Sequence, residues 1–260
     1  MLRKSFNDAV RWGHVQRNVA LLADPPPQKA VQASRRRSMR TWNELDLRRF
    51  LNSTKPHYLY ALWMFAAATG MRRSELLGVR WADVNLRTAT VSVRQTVLDT
   101  AEGYRPVEDQ KSTLSARTIH LDRRTVAMLV AHREAQEDLG RTAGPAWQNN
   151  DLVFPRQDGS WWNPPAISLA FMRAVKVAGV PRIRLHDVRH THATLLLASS
   201  VNPKVVSERL GHSSVAFTLD TYAHIMPGMQ PEAAERFMEL VFGAIQDDEE
   251  EGPDETEKSA

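Results

Sequence analysis

Residues 58–69, YLYALWMFAAAT, form a run of helix length that is apolar on every side and is closed by Gly70. A helix without a polar face is buried, so the rest of the chain has to be built around this one, and whatever follows Gly70 leaves the core directly. The surroundings are read from weaker signals. Residues 5–22 read as one amphipathic helix, and a linker over 23–40 holds three prolines (25–27) that favour an extended path, followed by Arg35, Arg36 and Arg37. A helix is expected over 42–51. Residues 88–97 carry β-branched side chains at Thr88, Thr90, Val91, Val93 and Thr96, which argues for a strand, and 116–121 reads as another. Helices are then expected over 123–138, 165–178, 186–199, 203–210, 215–223 and 231–245. The fold class is therefore mainly α with a small antiparallel β-sheet (α+β).

Composition narrows the function. The 260 residues suffice for one substantial core with a small attachment. There is no cysteine, which excludes disulfides, thiolate metal sites and cysteine nucleophiles. No stretch is long and apolar enough to span a membrane, and the first residues, MLRKSFNDAV, lack the apolar run of a secretory signal; a cytoplasmic location is expected. The formal charge of +4 conceals an asymmetry, because residues 247–260 hold eight acids and one lysine and leave +11 on the remainder. A basic body attracts a phosphate backbone. The acidic tail has too few apolar groups to offset ordering entropy and is expected to be disordered.

Four short segments carry the reactive side chains: TGMRRSE over 69–75, KSTLSAR over 111–117, HDVRH over 186–190 and LGHSSVAFTLDTYAH over 210–224. Together they supply fixed cations, proton carriers and a hydroxyl nucleophile, a set that suits a phosphodiester. Charge on the non-bridging oxygens must be held as phosphorus becomes pentacoordinate, and the planar, permanently charged guanidinium does this well; Arg72 and Arg189 are the candidates. Tyr222 is the candidate nucleophile, its oxygen forming a phosphotyrosyl intermediate. Lys111 and His186 are candidates for proton transfer to the leaving 5′ oxygen.

Each residue also has an ordinary explanation. Arg72 beside Arg73 reads as a solvated basic pair, Glu75 as a helix salt-bridge partner, Lys111 as a surface lysine, His212 as a helix-start residue and Tyr222 as a core aromatic. Their joint occurrence favours the chemical reading. His186, His190 and His192 form an alternative metal cluster, two of them one helical turn apart. An HExxH-type site needs glutamate after the first histidine, however, and Asp187 does not supply it. No metal and no cofactor are expected.

In this order, over residues 40–228, the segments closely resemble the catalytic domain of the tyrosine recombinases, the phage-integrase family. Its first box, T-G-x-R-x-x-E, is matched by Thr69, Gly70, Arg72 and Glu75. Its hairpin lysine ahead of Ser-x-Arg is matched by Lys111, Ser115 and Arg117. H-x-x-R is matched by His186 and Arg189, and L-G-H followed by T-x-Y by Leu210, Gly211, His212 and Tyr222. The resemblance implies a site-specific DNA recombinase or integrase working through a 3′-phosphotyrosine without ATP or metal. Arg72, Arg189 and His212 would hold the phosphate, Lys111 and His186 would move protons, and Glu75 would orient the site. The alternatives are strand relaxation of the type IB topoisomerase kind and a noncatalytic DNA-binding remnant.

The implied partners are double-stranded DNA, contacted also by Arg35, Arg36 and Arg37, and a second copy reached through residues 231–245, with accessory DNA-bending proteins possible partners on the same DNA. Residues 1–22 resemble the last helix of the family's N-terminal core-binding domain. The linker over 23–40, a catalytic domain over 41–246 and the tail over 247–260 complete the expected organisation.

Overall fold

The computed structural model describes residues 2–24, 40–100, 103–108, 117–222 and 230–243. Helix α1 (Leu2–Arg11) is followed by α2 (Glu44–Ser53), α3 (Tyr60–Thr69) and the short α4 (Arg73–Gly78). Strands β1 (Val84–Asn85), β2 (Thr90–Val93), β3 (Gln95–Thr100), β4 (Gly103–Glu108) and β5 (Arg117–His120) come next. The remainder is helical: α5 (Arg123–Ala143), α6 (Pro164–Ala178), α7 (Leu185–Ala198), α8 (Pro203–Leu210), α9 (Val215–Tyr222) and α10 (Gln230–Phe242). This is the expected mainly helical fold with small antiparallel sheets.

Two expected elements are each divided in the structure. Residues 5–22 are not one helix: α1 stops at Arg11, Gly13 takes a left-handed φ of 75°, and a 3-10 turn at Val19–Leu21 folds back. Arg3 then donates to the Ala20 carbonyl (3.2 Å) and Asn18 to the Arg3 carbonyl (2.8 Å). Residues 88–97 are not one strand either. The chain breaks at Arg94, so that β2 lies in a three-stranded sheet ordered β1-β2-β5, while β3 pairs with β4 in a separate hairpin. Register places Val91 opposite both Val84 and Ile119, and Val93 opposite Arg117, which starts β5.

Helix α3 is the axis. Ala61, Leu62, Trp63, Phe65, Ala66, Ala67 and Thr69 are all buried, as an all-apolar helix requires. From α3 the Trp63 ring meets Phe171, which packs against Phe50 and Trp42, with ring centroids 4.9–5.9 Å apart and each large ring contributing about 1.5–3 kcal/mol of burial. Trp42 also fastens α7. Its backbone N–H donates to Thr191 Oγ1 (3.1 Å), that hydroxyl donates to the Asp187 carbonyl (3.0 Å), and its indole N–H donates to the Pro181 carbonyl (2.7 Å). A second, smaller cluster of Ala193, Leu197, Val206, Leu210 and Tyr222 joins α7, α8 and α9.

The end of α3 is fixed by Gly70, whose φ is 64°. A Cβ there would stand 2.7 Å from both His192 Cδ2 and Leu210 Cδ2, so glycine is needed for its backbone and for its missing side chain alike. This close approach of the three elements brings residue 72 up against α7 and α8.

Candidate active site

Arg72 is the N-cap of α4 with extended backbone (φ −68°, ψ 151°), and Glu75 is the third residue of that helix. The Glu75 carboxylate accepts the Arg72 backbone N–H at Oε2 (2.8 Å) and Arg72 Nη1 at Oε1 (2.7 Å). Arg117, from the start of β5, donates to both oxygens of the same carboxylate, at 2.8 and 3.2 Å. The two arginines then reach the end of α8. Arg117 Nε donates to the Arg209 carbonyl (2.8 Å) and Arg72 Nη2 to the Gly211 carbonyl (3.1 Å), where the helix dipole and free carbonyls favour cations. Glu75 thus orients Arg72 while leaving that side chain 40% exposed.

Burial alone would raise the Glu75 carboxyl. The hydrogen bonds and charge of Arg117, followed by the Arg72 N–H and charge, more than offset this and bring it from 4.5 down to about 2. A depressed folded-state pKa means stability that is present above about pH 4.5 and is lost as pH falls through about 2. Glu75→Gln should accordingly cost about 3 kcal/mol at neutral pH, because a buried ion pair loses one partner. Urea midpoints measured on both proteins from pH 7 to pH 2 check it; the gap between them should close toward the acid end.

Arg189 lies on α7 and is 4% exposed, its Nη1 donating to the Gly70 carbonyl (2.9 Å). Burial first, then the charge of Arg72, push its guanidinium down to about 9, which leaves it charged at neutral pH. Three guanidiniums, those of Arg72, Arg117 and Arg189, therefore face one carboxylate, Glu75, and the neighbouring Asp187 is already paired with Arg184 (2.7 Å). Such a surplus of positive charge, with Arg117 and Arg189 buried, stabilises a bound anion.

Burial and the arginines together hold the histidines below the ordinary imidazole range. His212, just beyond the left-handed Gly211 that caps α8, is lowered to about 3 by burial, then by Arg189 and Arg72; its Nδ1 meets Thr218 Oγ1 (2.8 Å). His186 is lowered by burial and then by Arg189. His192 is lowered to about 4 by burial and Arg209; its Nδ1–H donates to the Ala67 carbonyl (2.8 Å) and its Nε2 accepts from Arg209 Nε (3.1 Å). With both ring nitrogens of His192 engaged, His186, His190 and His192 do not converge on a common point.

Tyr222 ends α9 and is fully buried. Burial raises its phenol to about 12 against the opposing charge of Arg189. Its hydroxyl lies 2.7 Å from His190 Nδ1.

Of the residues expected from sequence, Arg72, Glu75, Arg189, His186, His212 and Tyr222 are gathered here by α4, α7, α8 and α9. Lys111 and Ser115, Arg35, Arg36 and Arg37, and residues 247–260 lie outside the described residues. Sequence reasoning singled out neither the bracing by Arg117 nor the role of Arg209, which ties α8 to the Ala68 and His120 carbonyls (2.7 and 3.0 Å). The signal for Arg117 was its Ser-x-Arg spacing; for Arg209 there was none.

The half-exposed guanidinium of Arg72, the buried one of Arg189 and the buried phenol of Tyr222 are the groups that phosphodiester cleavage needs, two cations and a nucleophilic oxygen. The model of the phage integrase family matches residues 37–228, and the chain belongs to this family, the tyrosine recombinases. The tyrosine recombinase XerC-like protein of Caldanaerobacter subterraneus subsp. tengcongensis is 28% identical over 254 residues, spanning 92% of this chain and 64% of that protein. The ICEBs1 integrase of Bacillus subtilis is 28% identical over 214 residues, spanning 79% and 56%. The chain thus spans less than two thirds of these relatives. Among solved structures, the Tn1549 transposon integrase in complex with transposon right-end DNA superposes with a TM-score of 0.67 at 20% identity, covering 92% of this chain and 76% of that one. XerA recombinase gives 0.57 at 20% identity, covering 79% and 66%. The shared fold is that of the tyrosine recombinase catalytic domain.

Proposed function

We propose that this chain is a site-specific DNA recombinase that cuts and rejoins strands through a 3′-phosphotyrosine at Tyr222. The observation that carries the reading is that Arg189, held by the Gly70 carbonyl, faces both Arg72, held by Glu75, and the phenol of Tyr222. In this reading Arg72 and Arg189 neutralise the non-bridging oxygens and His212 adds a hydrogen bond. Tyr222 attacks phosphorus as the 5′ oxygen leaves, with Lys111 protonating that oxygen and His186 assisting proton movement. The relatives named above are integrases and recombinases, and a DNA complex is among the similar structures, which supports double-stranded DNA as the substrate; action in the cytoplasm belongs to the same reading.

A nicked suicide duplex tests the reading, because the cut fragment diffuses away and traps the enzyme covalently. A noncatalytic DNA-binding remnant gives no adduct. A topoisomerase gives adducts and relaxed circles but no recombinant joints.

Exchange between strands needs more than one copy on the DNA. Helix α10 leaves Phe237, Met238, Leu240, Val241 and Phe242 exposed, an apolar surface suited to covering by a second copy, with accessory DNA-bending proteins acting on the DNA between.

The Lys111 role has its own expected result. Lys111→Ala should lose on the order of 10²–10⁴ in cleavage rate with an oxygen leaving group. It should cleave a 5′-thio substrate nearly as fast as the unaltered chain, because sulfur leaves without a proton. Equal losses on both substrates would show that Lys111 binds rather than protonates.

A further inference from the structure

His190 stands one turn beyond His186 on α7 and touches the atom on which strand cleavage depends. Its Nδ1 is 2.7 Å from the Tyr222 hydroxyl, with ring centroids 5.9 Å apart and planes inclined at 54°. No other hydrogen bond to that hydroxyl occurs among the described residues, and a buried phenol needs a partner for its proton. The His186 ring packs edge-on against the other flank of His190, 5.2 Å away and at 89°, and holds the imidazole in place.

We propose that His190 is a further catalytic residue of this site: its Nδ1 accepts the phenolic proton as the Tyr222 oxygen attacks phosphorus, and returns it when the strand is resealed. The proposal rests on Tyr222 being the nucleophile. In cleavage the Tyr222 O–P bond forms and the P–O5′ bond breaks. The phenolic proton passes to His190, while the departing oxygen receives its proton from the separate donor proposed above. The phosphodiester keeps its single negative charge among the guanidiniums. In rejoining, the 5′ hydroxyl attacks and returns its proton to that donor, the P–O5′ bond re-forms, the Tyr222 O–P bond breaks and imidazolium His190 reprotonates the phenolate. The two protons travel by different routes, so cleavage and rejoining are mirror images within one site.

The surroundings keep this transfer off until DNA is bound. His190 is faced on its own helix by His186, Arg189 and Asp187, at the helix N-cap by Arg184, from the turn after α8 by His212, and from α9 by Tyr222. Burial, then the charges of His186, Arg189 and Arg184, outweigh Asp187 and lower it to about 4, while the phenol stands near 12. Without DNA the proton stays on Tyr222. A phosphate seated against Arg189 offsets one of the charges that depress His190 and favours the imidazolium, so the nucleophile is activated where its substrate is present.

The test separates proton transfer from a mere hydrogen bond. Asparagine at 190 places an amide near the Nδ1 position, which hydrogen-bonds a phenol but takes no proton. His190→Asn should bind duplex DNA and melt like the unaltered protein, yet form suicide-substrate adducts on the order of 10²-fold more slowly or worse. A ring-fluorinated, more acidic tyrosine in place of Tyr222 should recover part of that loss. Near-normal cleavage by His190→Asn, or no recovery with the fluorinated residue, would overturn the proposal.

Should His190→Asn fail to fold, the fluorinated tyrosine in the otherwise unaltered chain decides. With a proton acceptor its cleavage rate at neutral pH stays close to normal, whereas attack by a pre-ionised phenolate rises several-fold with phenol acidity and sinks the idea. Adducts that persist in Tyr222→Phe would instead remove the nucleophile reading itself, a failure recognisable without any change at His190.

Discussion

Tyr222→Phe should form no covalent adduct with a nicked suicide duplex, on any time scale at which the unaltered chain reacts, while retaining DNA affinity. The reasoning begins with the four tyrosines of the chain. Tyr58 is exposed and stacks on His57, Tyr60 donates to Met64 Sδ, and Tyr104 lies in the β3–β4 hairpin. Of these four tyrosines, Tyr222 is the one whose hydroxyl meets an imidazole and feels the charge of Arg189 among the described residues. Phenylalanine fills the same space in the cluster of Ala193, Leu197, Val206 and Leu210 and removes one oxygen, costing about 1 kcal/mol for the lost hydrogen bond to His190. Loss of adducts is then a loss of chemistry, not of fold. Denaturant midpoints, duplex titration and gel detection of the adduct measure the three quantities separately; adducts at normal yield would sink the assignment. Because Tyr222 is 0% exposed, phosphorus cannot reach its oxygen unless the end of α9 shifts, so the adduct also reports that the bound complex opens this seat.

How much of this site could be read in advance follows from how local each signal is. The apolar run ending at Gly70 announced a buried helix and its end, and both are present because they depend on a few neighbouring residues. The arginine, histidine and tyrosine boxes were legible for the same reason. What could not be read depends on partners far along the chain. Arg94 separates β2 from β3 because β2 pairs with Thr118 and its neighbours, whereas Gln95 turns its amide toward the Gly78 carbonyl (2.7 Å). Nothing within 88–97 encodes that choice. Helix α4 has six residues, too few to show a period, and exists because Glu75 closes its first turn while held by Arg117, 42 residues away. Pro106 hides β4, although its place opposite Val97 in a two-stranded hairpin tolerates a missing donor. Residues 5–22 keep an apolar periodicity across Gly13, but glycine's freedom at positive φ lets the chain turn back on α1. His190 read as one histidine among three, since its meaning lies in a tyrosine 32 residues later.

Arg189→Ala should lower single-turnover cleavage by at least about 10²-fold, by analogy with the loss of one preorganised oxyanion donor, and should do so with little loss of folding stability. The two halves of this expectation have different origins. Arg189 is buried among like charges, and its interactions with Arg72 and Arg117 are repulsive, opposed by Glu75. Truncation relieves that repulsion and offsets much of the cost of the bond lost at the Gly70 carbonyl. Glu75→Gln does the reverse, leaving Arg72 and Arg117 uncompensated, so the catalytically severe substitution is the milder one for the fold.

The same charge relief should move the imidazoles. His212, lowered to about 3 by burial and then by Arg189, should titrate at a higher pH in Arg189→Ala, and His186 should follow in the same direction. Histidine ring signals followed by NMR across pH 3–7 would register both. Cleavage by the unaltered chain should be insensitive to EDTA, since the guanidiniums carry the neutralising charge. An Arg189→Ala variant that cleaves at a normal rate, or a chelator effect reversed by zinc, would transfer the phosphate-holding role away from the arginines. An unshifted His212 in a folded Arg189→Ala protein would show that the repulsion inferred among the guanidiniums is screened, and the electrostatic account of the site would fail even if the rate fell.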